Sequence, residues 1–216
     1  GSPQEEQNRK AYDYMPLSKE KIVSLGENIA KEESLVSYIF PILRYHARVW
    51  ELEGKDFAYL FADRHYPLKG YAYSDKTAQG LPRFDMNAVV HQGIAIAPEN
   101  REYMERIRDL CEQEQIRLLL IKTPNIEWGI HEHEGMVALA DELDVPFVDY
   151  NTFFRELGIN EDACFLDGAH LNAKGARLLS LDLGKRVLQL LDEIPQHTKS
   201  TQRVWESDLA FLGSIE

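Results

Sequence analysis

The chain is expected to fold as an α/β protein built on a parallel sheet. Three features predict that class. Between residues 98 and 194, short apolar runs alternate with longer stretches of helical periodicity. The runs at 116–122 and 145–150 each end in polar loop residues, as buried strands do. The stretch between them is long enough for a helical crossover and too long for a hairpin, so the two strands should lie parallel and adjacent.

Four regions follow along the chain. Gly1-Ser2 reads as a cloning scar and the polar stretch 3–10 as a disordered lead-in, so residues 1–17 form a linker and the chain is expected to be an excised part of a longer parent. Residues 18–97 form a helical region followed by an irregular loop. Within them 34–52 carries Leu35, Tyr38, Ile39, Ile42, Leu43, His46 and Trp50 at helical spacing, with a bend at Pro41 and His46 as a packed core histidine. Residues 66–86, rich in glycine, proline and aromatics, form a long irregular segment of the kind used as a lid or binding loop. Residues 98–194 then supply the helix-strand alternation. Helix 98–115 carries Met104, Ile107, Leu110 and Cys111 on one face. Strand 116–122 closes on Thr123-Pro124-Asn125, helix 134–143 crosses over, and strand 145–150 follows. Asn172 stands as N-cap to a helix over 173–194. Residues 195–216 are a terminal extension in which 209–214 has the look of a strand running into a Gly-Ser turn.

Composition excludes several function classes. A length of 216 residues with 44% hydrophobic content suits one domain of ordinary size. With 36 acidic against 24 basic residues the formal charge is −12, which repels phosphate backbones, so nucleic acid is not an expected partner. No run of 18 apolar residues crosses a membrane. Cys111 and Cys164 make no metal-type pair; a disulfide between them stays open, and two isolated cysteines are weak evidence for an oxidising compartment.

Chemistry concentrates in Asp167-Gly168-Ala169-His170, in a loop between the last strand and the last helix. An imidazole, with a pKa of roughly 6.5, takes a proton near neutrality if a carboxylate holds its other nitrogen in the right tautomer. The small residues between the two let Asp167 fold back towards His170. In open parallel sheets ligands bind beyond the carboxyl ends of the strands, the side on which Asp149, Asn151, Asp167 and His170 emerge. Asn125 and Trp128, just past Lys122, and Asn151 are placed there to shape a substrate pocket.

The block Phe165-Leu166-Asp167-Gly168-Ala169-His170-Leu171-Asn172-Ala173-Lys174-Gly175-Ala176 resembles the last block of the SGNH (GDSL-type) hydrolase superfamily, in particular its envelope-associated, DltD-like branch. Leu120-Ile121-Lys122-Thr123-Pro124 and Pro146-Phe147-Val148-Asp149-Tyr150-Asn151 resemble that branch's last two strands, and the likeness covers about residues 98–194, extended upstream by Tyr38 to His46. It implies a three-layer, flavodoxin-like α/β/α fold, incomplete at its amino end. It also implies a Ser-His-Asp triad completed by Asp167 and His170, an extracytoplasmic setting in the cell envelope, and a carbohydrate or other small acyl substrate, with no cofactor.

One part of the pattern is missing. The superfamily carries its serine in a Gly-Asp-Ser or Gly-Ser-Ser turn near the amino end, and no such turn precedes residue 98. Ser18, Ser24, Ser34 and Ser37 lie in or beside the polar helical region, and Ser74 lies in a loop; none follows a short apolar strand. Gly213-Ser214 has the local shape, but no helix follows it to donate N–H groups to an oxyanion. The expected function is therefore an SGNH-like esterase or acyltransferase whose nucleophile this chain does not show. The alternative is a non-catalytic binding or scaffolding member of the same fold. A third reading, a metal-dependent hydrolase on His131 and His133, is weaker, because two residues apart on a helix the rings splay by about 200°. No metal site is expected.

Overall fold

The computed structural model describes residues 11–13, 15–28, 35–40, 50, 51, 53, 67–90, 96–191 and 196–215. The chain divides into two compact units, residues 1–65 and 66–216. The irregular segment after residue 66 thus joins the second unit rather than the helical region before it.

The first unit holds helix α1, Lys19–Asn28, and helix α2, Leu35–Ile39. Ser18 caps α1 by accepting from the Lys21 amide at 3.1 Å. Leu25 is buried, and so is Lys21, whose ammonium donates to the Met15 carbonyl. Tyr12 meets Tyr38 edge to face at 5.8 Å. The expected helix over 34–52 is found at Leu35–Ile39. Pro41 and His46 fall outside the described residues, and Trp50, expected on an apolar face, is 92% exposed.

The second unit is α/β. Its order is α3 (Pro98–Gln113), β1 (Leu120–Lys122), α4 (Ile130–Leu143), β2 (Phe147–Asp149), two 3-10 turns at Tyr150–Thr152 and Phe154–Leu157, α5 (Ala173–Leu190) and α6 (Lys199–Ile215). β1 and β2 pair in parallel, Leu120 opposite Phe147 and Lys122 opposite Asp149, with α4 as the crossover. Both strands are shorter than their apolar runs. At the amino end of the first run the Ile116 amide bonds back to the Cys111 carbonyl and so belongs to the exit from α3. Pro146 has no N–H to offer a ladder.

Helix α4 starts four residues ahead of its expected position. Gly129 is the N-cap, and the Glu132 carboxylate reaches back to accept the Gly129 amide at 3.0 Å, which encloses His131 and His133 in the first turn. Helix α5 begins where Asn172 predicts it, with the Asn172 side chain accepting the Gly175 amide, and ends at Leu190. The terminal extension is helical, not a strand and turn. Thr198 caps α6 by accepting the Thr201 amide, and the Ser214 hydroxyl bonds to the Phe211 carbonyl one turn back.

Two clusters make the core of this unit. Leu139, Leu143 and Val145 bury under α4 against Met104, Leu118, Leu120 and Met136. Of the face expected on α3 only Met104 joins them; Ile107 and Leu110 are exposed and Cys111 is half-buried. The second cluster joins Tyr150, Phe154, Ile159, Cys164, Phe165 and Leu179 to Phe84. Phe84 comes from the irregular segment and stacks within 4.7 Å of Phe165 and 5.7 Å of Phe154. Its amide donates to the buried carboxylate of Glu161, which also pairs with Arg155. Burial pushes the Glu161 carboxyl up, and Arg155 with the Phe84 amide more than offsets it, leaving the group below its ordinary value. Burying one phenyl ring contributes about 1.5–3 kcal/mol, so this loop is part of the core.

Candidate functional site

The Asp167–His170 loop is pinched at its base. Phe165 and Leu171 form an isolated antiparallel bridge, and the Leu166 amide donates to the His170 carbonyl at 2.8 Å. Asn172, buried at the exit, donates through its amide group to the carbonyls of Ala163 and Lys76 and to the Thr77 hydroxyl. The Ala78 amide donates to the Phe165 carbonyl and the Ala173 amide to the Ser74 carbonyl, so backbone from the irregular segment braces both ends of the loop.

Within that frame Asp167 folds back on itself. Its Oδ1 accepts the amides of Ala169 and His170, each at 2.8 Å, and the His170 Nδ1 lies 3.0 and 2.9 Å from its two oxygens. The Ala169 amide, then the imidazole, hold the Asp167 carboxyl below its ordinary value. An ionised carboxylate only accepts, so in the neutral ring Nδ1 carries the hydrogen and Nε2 presents a lone pair. Both side chains are open to solvent, 72% for His170 and 53% for Asp167, and an exposed pair of this kind adds little to stability.

A change in tautomer is the expected signature. In Asp167→Asn the amide group can donate to Nδ1 and drive the ring to the Nε2–H form. Nitrogen-15 spectra of the neutral imidazole should show Nδ1–H in the wild type and a shift towards Nε2–H in the variant; identical spectra would contradict the assignment.

The dyad sits at the carboxyl end of β1. Gly168 accepts the Ile126 amide at 2.9 Å, and a Cβ built on Gly168 would stand 2.7 Å from Ile126 Cγ2, so glycine is what lets the loop lie against the turn after the strand. Asn125, Trp128 and Asn151 come together on the same side. The Asn151 side chain accepts the Asn125 amide at 2.8 Å, and all three line a cavity of about 240 Å³ with Asn87, Thr152 and Arg155. Asp167 and His170 are not among its lining residues.

Beneath the cavity lies a buried polar knot. Asp149 accepts the Trp128 indole N–H at 2.7 Å, the Asn151 amide at 2.8 Å and the Asn151 side chain at 2.7 Å, and His133 Nδ1 lies 2.8 Å from its Oδ2. The Lys122 ammonium rests 4.6 Å over the Trp128 ring, and burial lowers its pKa against the opposing pull of Asp149. The His133–Asp149 contact is absent from the sequence reading, because the strand-helix geometry brings together residues 16 apart. Asp149-x-Asn151, a short acceptor two residues before an amide, was the local signal available.

The histidines of the proposed metal reading part company. His131 is exposed while His133 turns inward to Asp149, and among the described residues no three His, Cys, Asp or Glu side chains gather as a metal would need. Cys111 and Cys164 are both free thiols. Among the described residues no helix is long and apolar enough to cross a membrane. Compared with models of known families, with curated proteins and with solved structures, the chain matches none.

Proposed function

We propose that the chain carries the Asp-His half of an SGNH-type Ser-His-Asp site on a three-layer, flavodoxin-like α/β/α fold, in an esterase or acyltransferase acting on acyl groups of a cell-envelope carbohydrate or polymer. The observation that carries this reading is Asp167 bound to Nδ1 of an exposed His170, with Nε2 directed away from the carboxylate at the carboxyl end of a parallel strand. In the proposed cycle Nε2 takes the proton of a serine as it attacks the acyl carbonyl, Asp167 stabilises the imidazolium, and the proton passes to the alcohol that leaves as the acyl-serine forms; water or an acceptor hydroxyl, deprotonated by Nε2 in turn, then takes the acyl group and the proton returns to the serine. The cavity lined by Asn87, Asn125, Trp128 and Asn151, polar side chains beside one aromatic residue, is the place for the sugar in this reading.

A second reading is favoured by a specific observation: no serine oxygen is among the partners of the His170 ring given by the described hydrogen bonds. A non-catalytic binding or scaffolding member would keep the cavity and need no nucleophile.

Ester hydrolysis decides between them. In any polypeptide that supplies the serine to this dyad, His170→Ala should lower kcat/KM by about 10²- to 10⁴-fold. The 216-residue chain, in which no described serine oxygen reaches the His170 ring, should turn over short acyl esters no faster than its own His170→Ala variant. Full activity without His170 overturns the catalytic assignment. No His170-dependent ester turnover, with saccharide binding intact, selects the second reading.

A further inference from the structure

Lys122 is a cation that the ester chemistry above does not use. It closes β1 opposite Asp149 in the parallel register, and residues paired in this way send their side chains to the same face of the sheet. There its ammonium lies 4.6 Å over the Trp128 ring, whose indole N–H donates to Asp149 at 2.7 Å, and His133 Nδ1 stands 2.8 Å from the same carboxylate. Amine, carboxylate and imidazole are thereby gathered in one cluster, Lys122 from β1, Asp149 from β2 and His133 from α4. Lys122 is half-buried, and among the described residues its ammonium forms no ion pair and no hydrogen bond, so its partner is the ring face. An ammonium is a compact, strongly hydrated charge, and the ring only partly replaces the water that burial withdraws. Burial accordingly lowers the Lys122 pKa, with Asp149 pulling the other way. More of this amine is neutral and nucleophilic near neutral pH than of an exposed lysine.

We propose that Lys122 is a covalent carbonyl site, whose amine condenses with an aldehyde to give a protonated imine on the Trp128 face beside Asp149. The neutral Nζ attacks the aldehyde carbon, and the N–C bond forms as the C=O electron pair moves to oxygen. The resulting hydroxyl takes a proton, its C–O bond breaks and water leaves. Overall one ammonium and one aldehyde become one iminium and one water, so the site keeps its single positive charge. That product selects the class of reagent. An acyl donor would leave a neutral amide, which forfeits both the ring face and the attraction of Asp149. An iminium keeps both, and with its charge spread over carbon and nitrogen and fewer N–H groups it asks for less water than the ammonium it replaces. The His133–Asp149 pair places a proton carrier in the same cluster. Trp128 also lines the cavity of about 240 Å³, so the amine and that cavity share one residue.

Equilibrating the 216-residue protein with limiting benzaldehyde at neutral pH, then trapping imines with a short pulse of borohydride, leaves a benzyl group on each lysine that carried one. Peptide mass spectrometry reads the occupancy lysine by lysine. Lys122 should be about tenfold more occupied than the exposed Lys76, Lys174 and Lys185, and the lead should vanish in concentrated urea. Lys122→Arg keeps a cation for the ring and should lose the preferred adduct. Trp128→Leu, with circular dichroism unchanged, should bring Lys122 down to the level of the exposed lysines. Equal occupancy of Lys122 and the exposed lysines in the folded protein, a lead that survives urea, or an undiminished lead in folded Trp128→Leu overturns the proposal. So does a preferred adduct that persists in Lys122→Arg. A lead with acetic anhydride and none with benzaldehyde would mark an acyl acceptor and overturn the iminium assignment. His170→Ala should label as the wild type does, so failure of the ester reading leaves this site standing.

Discussion

Asp149→Ala should lower the unfolding free energy of the protein by about 3–5 kcal/mol, the range for removing one partner from a buried charged network. The carboxylate is 2% exposed and gathers the Trp128 indole, two N–H groups of Asn151 and the His133 ring. Alanine removes the acceptor these donors share, and each donor left without a partner costs about 1–3 kcal/mol. Trp128→Phe removes a single donor and leaves a smaller aromatic ring in place of the indole, so it should cost less, about 1–3 kcal/mol. Urea unfolding at constant m-value measures both. An Asp149→Ala loss below that of Trp128→Phe would show that the knot is not what joins β2 to α4.

Two glycines of α5 should respond in opposite directions to the same change. Alanine for glycine inside a helix ordinarily stabilises by about 0.5–1 kcal/mol, and Gly184→Ala should do so, because its Cβ would meet nothing within 4 Å. At Gly175 the added Cβ would stand 2.3 Å from the Cys164 carbonyl oxygen and 2.9 Å from Leu171 Cδ2. That carbonyl also accepts the Asn172 amide at 3.1 Å, so it cannot retreat without loosening the helix cap. Gly175→Ala should therefore destabilise by about 2–3 kcal/mol net, as overpacking does. Thermal unfolding of the two variants side by side gives the comparison, and equal midpoints would contradict the close approach.

Much of the second unit was legible in residue order. Parallel pairing of the runs at 116–122 and 145–150 followed from the length of chain between them, since only a crossover spans it. Asn172 as N-cap and the closeness of Asp167 to His170 followed from short-range chemistry: an acceptor three residues ahead of an amide, and two small residues between an acid and a base. Lengths were less legible. Both strands are shorter than their apolar runs, because a strand extends only where a neighbour supplies ladder partners, and apolar content alone does not say where that neighbour stops.

Local order thus determined the class of the fold, the cap of α5 and the Asp167–His170 pair, all of which rest on contacts within a few residues or on chain length. Tertiary structure decided what those elements meet. The helical state of Leu209–Ser214, the burial of Phe84 from an irregular segment and the His133–Asp149–Trp128 knot could not be read from spacing. Each depends on partners 16 or more residues away or on a balance between strand and helix propensity that packing tips. The physical reason is that hydrogen-bond caps and turns are satisfied by neighbours in sequence, whereas burial and buried polar pairing are satisfied by whatever the folded chain brings within reach.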